Sequence, residues 1–318
     1  MGRRQKFLLN AVTALLQQGV TIMCGFILPV YILQGYGSAV NGLVSSITQF
    51  LGFISLLEMG VGPVIQSNLY RPLANGDTAS IRGLYAASEQ FFRRLAMIFL
   101  AYLALLMVIY PSVVSESFDF LYTASLILII AVSIFAQYYF GLSTQLLLGA
   151  DQRGYIPSGL QTITLALNTL LSVCLIQQGA SIHLVKLVAA GVYVLRPVGM
   201  AIYAKHHYRL GGIDAHERME IQQKWNGFSQ HLAAVVSGSA GVVLLTLFAP
   251  IESVSVYSVY SMIKSGVESL FLNAVNGLEG LWGNMIARQE RQLLYRTFAV
   301  VEWATHWGFS SGFHIPHR

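Results

Sequence analysis

Arg93-Arg94-Leu-Ala-Met-Ile-Phe-Leu-Ala-Tyr-Leu-Ala-Leu-Leu-Met-Val-Ile-Tyr-Pro-Ser-Val-Val-Ser-Glu116-Ser-Phe-Asp119 decides the class of this chain. The run from Leu95 to Val114 carries no charge and has the length of about 20 residues that a helix needs to cross a hydrocarbon core. Two arginines bound one end and two carboxylates the other. That asymmetry is what short cytoplasmic and outer connections of a membrane protein show.

Composition points the same way. The 318 residues are 55% hydrophobic and only 10% charged, with mean hydropathy +0.59, against roughly 25% charged in soluble domains. A water-soluble fold is excluded on that ground. The formal net charge of +5 would suit nucleic acid on a soluble protein, but here the basic residues follow membrane topology, so no nucleic-acid partner is expected. Cys24 and Cys174 fall inside apolar segments, so neither a disulfide framework nor a metal-ligand spacing is visible.

The N-terminal Met1-Gly-Arg-Arg-Gln-Lys6 precedes an apolar stretch from Phe7 to Leu33. The stretch is too long for a secretory signal and lacks a cleavage pattern, so it reads as a first spanning helix with a cytoplasmic start. Further spans are predicted at Val40–Ile65, Leu95–Val114, Phe120–Leu148, Ile156–Ile176, Ile182–Tyr203, Ser229–Pro250 and Val254–Ile286. The fold class is therefore an all-α polytopic membrane protein with about eight transmembrane helices. With the N-terminus inside, the inner connections hold Arg71, Arg82, Arg93 and Arg94, then Arg153, then Lys205, Arg209, Arg218 and Lys224, then Arg288, Arg291 and Arg296. The outer connections, around Gly35, Ser115, Gln178 and Ile251, hold no Lys or Arg, but do hold Glu116, Asp119 and Glu252. Eight alternating spans satisfy the positive-inside rule at every turn and leave both termini cytoplasmic at the cell membrane.

An offset of 221 residues aligns Phe7 with Phe228, Pro29 with Pro250, Tyr36 with Tyr257, Glu58 with Glu279 and Gly62 with Gly283. Nine identities in 59 ungapped positions are few for so apolar a composition, so it is the pairing of an intramembrane Glu, a Pro and a Gly that carries the match. Six crossings separate the copies, which makes the repeat parallel. The predicted organisation is a six-helix transmembrane lobe at 1–204, a basic cytoplasmic loop at 205–228, the first two helices of a second lobe at 229–286, and a cytoplasmic or interfacial tail at 287–318. Such a chain is expected to be truncated or frameshifted in a longer reading frame; an amphipathic tail at the interface is the other reading.

The run Asn41-Gly-Leu-Val-Ser-Ser-Ile-Thr-Gln-Phe-Leu-Gly-Phe-Ile-Ser-Leu-Leu-Glu58-Met-Gly-Val-Gly62, then Asn68-Leu-Tyr-Arg-Pro-Leu-Ala-Asn-Gly-Asp77, and Gly283-Asn-Met-Ile-Ala287 resemble the bacterial polysaccharide and O-antigen flippases. These belong with the multidrug and toxin extruders in one exporter superfamily. The resemblance spans residues 1 to about 303 and rests on diffuse motifs. It implies transport of an anionic polyprenyl-pyrophosphate-linked oligosaccharide from the cytoplasmic to the outer leaflet for surface polysaccharide synthesis. It also implies a possible proton or sodium coupling ion and polysaccharide assembly enzymes as neighbours. Family members have twelve to fourteen helices in two lobes, and the missing remainder sets this chain apart. An ion-coupled multidrug exporter and a non-transporting membrane fragment or scaffold are the alternatives.

Such a transporter needs a polar, cationic cavity, and a charge at the bilayer centre costs roughly 2.5–3.5 kcal/mol. Lys186, Arg196 and Lys264 are the cations inside predicted spans. Lys186 lies close enough to the outer end to snorkel. Arg196 precedes Pro197, which bends a helix, and stands open to substrate contact or snorkelling. Lys264 lies one turn before Glu268, and Lys264, Glu268 and Glu279 fall within an arc of about 60°. That face is either an intrahelical ion pair or a cavity lining, with Lys264 for phosphate and Glu268 for a coupling ion. Glu58 and Glu279 read as coupling sites or, beside their glycines, as an inter-helix latch. Gln17, Gln18, Thr48, Gln49, Gln137, Tyr138, Tyr139, Gln145, Asn168, Tyr257 and Tyr260 add softer candidates for sugar contact or helix glue. No nucleophile-elbow, zincin or Walker motif is present, so no enzyme activity, cofactor or metal is expected. Asp214, His216, Glu217 and Glu220 read as a solvated loop.

Overall fold

The computed structural model describes residues 3–58, 61–208, 210, 228–266 and 291–312. Among these, every regular element is helical and none is a strand. Five helices are long and apolar enough to cross a membrane: Leu8–Gly52, Thr78–Val113, Phe120–Ala150, Tyr155–Gln177 and Ile182–Tyr208. That is the build of an all-α membrane protein. Exposed apolar side chains such as Leu15, Leu121, Leu170 and Ile202 are what a lipid-facing surface requires. The chain divides into two compact units, Met1–Ser258 and Val259–Arg318.

In the first unit, α1 (Arg3–Gly52) is 50 residues long and would reach about 75 Å if straight. It is two limbs meeting at Gly37, whose φ of 82° and ψ of 174° are not helical. Only glycine takes that φ without a Cβ penalty. The first limb runs parallel to α7 (Tyr155–Gln177) along its whole length. At one end Asn10 Oδ1 accepts from the Tyr155 amide at 2.8 Å. At the other the Tyr36 hydroxyl donates to the Ala180 carbonyl at 2.6 Å, just beyond the end of α7.

The second limb departs from the sequence expectation. A single helix was expected over Val40–Ile65, but α1 stops at Gly52, Phe53 and Ile54 form a turn, α2 (Ser55–Glu58) adds one helical turn, and α3 (Val61–Asn75) follows. Breaking a helix inside a bilayer frees backbone groups that water cannot satisfy. Here side chains do it: the Tyr102 hydroxyl donates to the Phe50 carbonyl at 2.7 Å and the Ser55 hydroxyl to the Gly52 carbonyl at 2.8 Å. The amides of Phe53 and Leu56 turn inward to the carbonyls three residues earlier.

α4 (Thr78–Val113) begins well before Leu95, because Gly76 at φ 68° ends α3 and Asp77 caps the new helix by accepting from the Ser80 amide at 3.1 Å. Hydrogen bonds from Ser80, its hydroxyl first, hold the Asp77 carboxyl below the usual aspartate range. α5 (Phe120–Ala136) and α6 (Leu142–Ala150) are one rod joined by a π-helical turn, Gln137–Gly141. α8 (Ile182–Tyr208) and α9 (Phe228–Phe248) follow. The core is densest where α1, α3, α4 and the α5–α6 rod meet, around the fully buried Leu43, Ile47, Phe92, Phe99 and Leu126.

A hydrogen-bonded seam joins the second limb of α1 to α9 and to α10, the helix over residues 251–266. Asn41 donates to Ser255 at 2.8 Å, Ser45 to Ser258 at 3.2 Å and Gln49 to Ser239 at 2.6 Å, while the Ser46 and Thr246 hydroxyls lie 2.8 Å apart. Small and polar residues are what inter-helix contacts in lipid use, and at Gly42 a Cβ would run into the Ile251 backbone.

On the basic face, a second polar cluster ties the chain's start to the α6–α7 connection and the end of α8. Lys6 donates to the Asp151 carbonyl and carboxylate at 2.8 and 3.0 Å, and Tyr208 to the same carboxylate at 2.6 Å. Arg153 pairs with Asp151 and donates to the Tyr203 hydroxyl. Burial opposes ionisation of Asp151, but the hydrogen bonds from Tyr208, Lys6 and Arg153 outweigh it and hold its pKa below the ordinary value of 3.8.

In the second unit, α11 (Arg291–Gly312) is a 22-residue helix. The basic loop expected over Arg288–Arg296 therefore gives way to helix from Arg291, and most of the tail expected at 287–318 lies in this helix. Trp303 and Trp307, one turn apart, stack on its exposed side with ring centroids 6.3 Å apart.

Two outcomes follow for detergent-solubilised protein. Gly42→Ala lowers the thermal midpoint, because the Ile251 backbone cannot yield and overpacking costs about 1–3 kcal/mol; Gly159→Ala, with nothing near its added methyl, leaves it unchanged or higher. Asp151, with its pKa depressed in the fold, contributes stability above the unfolded pKa that is lost as pH falls through the lower folded value. The midpoint therefore holds from neutral pH down to about 4 and then falls. Asp151→Asn removes about 1.5–3 kcal/mol of stability at neutral pH, which lowers the midpoint there and flattens the acid limb.

Candidate functional site

Three backbone irregularities converge on one cavity of about 380 Å³ in the first unit. The helix break supplies Gly52, Ile54 and Ser55, the π-turn region supplies Ser133, Gln137 and Tyr138, and the Pro-bearing α8 supplies Tyr193 and Arg196. Broken helices in membrane proteins line polar cavities, and π-turns recur at functional sites.

Each irregularity has a local cause and a local effect. Two residues eight apart on a regular helix point about 80° away from each other. The wider π-turn brings Gln137 and Gln145 back onto one face, and the Gln137 amide donates to Gln145 Oε1 at 3.2 Å. Gly141 closes the turn because α8 passes tightly there: a Cβ on it would meet Pro197 Cβ at 3.0 Å and the Gln137 amide group closer still.

Arg196 is the cation of this cavity. Its Nη2 donates to Gln145 Oε1 at 3.0 Å, while its Nε is buried with no hydrogen-bond partner. Among the described residues it has no carboxylate within ion-pair distance; the ion pairs there are Lys6–Asp151, Arg93–Glu89 and Arg153–Asp151. Glu58 instead accepts from the Tyr138 hydroxyl at 2.9 Å. Tyr193 is held by the Asn168 amide at 3.1 Å, and Asn168 is buried between α7 and α8. The arrangement offers a half-buried guanidinium, two glutamine amides and two tyrosine rings to an anionic or hydroxyl-rich group.

The remaining expected site residues lie elsewhere. Lys186 is half-buried one turn into α8, away from the lining of the cavity. Lys264 is exposed on α10 and belongs to the second unit. Glu268 and Glu279, with the second half of the proposed repeat at 267–286, lie outside the described residues, as does the loop around Asp214. Sequence reasoning missed the Asp151 cluster and, apart from Gln49 as helix glue, the seam at Asn41–Gln49. The only sequence sign of either was the recurrence of polar residues at 41, 45, 46 and 49 within an apolar run, a helical spacing.

The chain matches no protein-family model, no curated protein and no solved structure.

Proposed function

We propose that this chain is a membrane transporter whose cavity at Arg196 takes the phosphate-bearing head of a lipid-linked oligosaccharide and carries it from the cytoplasmic to the outer leaflet. The observation that carries the reading is the Arg196 guanidinium, hydrogen-bonded to Gln145 but with no carboxylate partner among the described residues, in a cavity lined by a broken helix and a π-turn. A cation without a carboxylate partner in a low-dielectric site is costly unless it meets an anion, which favours an anionic substrate over the cationic drugs of a multidrug exporter. Tyrosine and glutamine side chains around it suit sugar hydroxyls and ring faces.

In this reading the six crossings up to Tyr208 form one lobe in the cell membrane, the N-terminus being cytoplasmic. The seam from Asn41 to Gln49 starts one turn above the cavity's Gly52 and would have to part for the head group to leave on the outer side. Coupling to a proton or sodium gradient is assigned to the Glu58–Tyr138 contact, since no nucleotide-binding loop is present in the sequence.

The test is to express residues 1–318 in bacteria lacking their polysaccharide flippase, scoring surface repeat units and accumulated lipid-linked precursor at matched membrane levels. Wild type restores export, Arg196→Gln reduces it at least about tenfold, and Arg196→Lys retains an intermediate level. Equal export by wild type and Arg196→Gln removes the cavity from the mechanism. Continued precursor accumulation with the wild-type protein in the membrane overturns transport by this chain. A disulfide between Asn41→Cys and Ser255→Cys is expected to abolish export under oxidation and release it on reduction; export indifferent to that disulfide would remove the seam from the cycle.

A further inference from the structure

A second basic pocket lies on the other side of the π-turn. It has a volume of about 520 Å³ and is lined by Glu89, Gln90, Arg93 and Arg94 with Met97 and Tyr139. None of these residues lines the Arg196 cavity. The Arg93 guanidinium sits 5.1 Å from the centroid of the Tyr139 ring and donates to Glu89 at 2.7 Å. Those two contacts fix its position while leaving most of its five N–H groups free. Arg94 makes no hydrogen bond or ion pair among the described residues. Glu89 offsets one guanidinium, so the pocket keeps one net positive charge.

Depth makes this pocket specific. Arg93 and Arg94 immediately precede the uncharged run Leu95–Val114, which fills the hydrocarbon core as a helix of about 20 residues, so both guanidinium groups stand at the level of lipid head groups. One turn deeper, Met97 and Ile98 on α4 are exposed apolar side chains. A ligand filling the pocket therefore meets cations and an amide at its head and apolar side chains along its tail. Basic pockets between transmembrane helices on the cytoplasmic side are where anionic lipid head groups dock.

We infer that the Arg93–Arg94–Tyr139 pocket is a binding site for the phosphodiester head group of an anionic phospholipid, distinct from the Arg196 cavity. It does not depend on the transport reading. Arg94 and the free edge of Arg93 take the phosphate oxygens, Gln90 takes a head-group hydroxyl, and Tyr139 keeps Arg93 from snorkelling away. Two arginines near a membrane surface, at about 1 kcal/mol each, correspond to about ten- to thirtyfold in affinity.

The test is native mass spectrometry of the purified 318-residue chain titrated separately with phosphatidylglycerol, phosphatidylcholine and inorganic phosphate. Wild type binds phosphatidylglycerol well above phosphatidylcholine, and the double variant Arg93→Gln/Arg94→Gln loses about ten- to thirtyfold of that binding. Glu89→Gln, which frees Arg93, strengthens it about two- to fivefold, and Arg196→Gln leaves it unchanged. Tyr139→Leu keeps both charges and weakens it, which guards against a double variant that fails to insert. Equal binding of phosphatidylglycerol by wild type and the double variant, or no preference over phosphatidylcholine, overturns the proposal and leaves the arginines as topological anchors. Displacement of the lipid by equimolar inorganic phosphate overturns the lipid assignment.

Discussion

Everything in this structure depends on one constraint: a backbone donor or acceptor in hydrocarbon has no water to turn to. Helices satisfy it internally, and each place where a helix stops being regular must satisfy it from outside. At Phe53–Ile54 the second limb of α1 breaks, and Tyr102 from α4 and Ser55 from the next turn take up the Phe50 and Gly52 carbonyls. Tyr102 is thus a structural residue of the break, placed there by the packing of α4 on α1. At Gln137–Gly141 the chain instead stretches its own ladder, the Leu142 amide reaching back to the Gln137 carbonyl. The cavity lies between these two irregularities, because that is where backbone and side chains are not already committed to regular packing.

The same constraint explains what the sequence made legible. Uncharged runs of membrane-spanning length, and the absence of Lys and Arg on one side of them, are one-dimensional signals, and five long apolar helices answer to them. Arg196 was singled out because a cation inside such a run is costly and Pro197 follows it. The break after Gly52 left no such mark: Val40–Ile65 is apolar or small nearly throughout, and Phe53 and Ile54 are as compatible with a helix as their neighbours are. The π-turn was equally silent, since one inserted residue shifts the face of everything after it without changing composition.

Long-range polar contacts were invisible for a different reason. Lys6 reads as part of a basic leader and Asp151 as a loop residue, and only their meeting across 145 positions turns them into an anchor. Arg153 was assigned to topology alone. Its pairing with Asp151 and its hydrogen bond to Tyr203 make it a link between the α6–α7 connection and the end of α8 as well. For Lys264, periodicity placed it on a face with Glu268, but a helical wheel orders residues about an axis and says nothing about what that face meets.

The π-turn gives the two basic sites their relation. Successive side chains on a helix point in different directions, so Tyr138 and Tyr139 meet different neighbours. Tyr138 reaches Glu58 beside the Arg196 cavity, while Tyr139 lies under Arg93 in the second pocket. The π-turn therefore serves both sites by geometry alone: its wider turn sets Gln137 and Gln145 on the face that supports Arg196, and the residue after Tyr138 is left facing α4, where its ring carries Arg93.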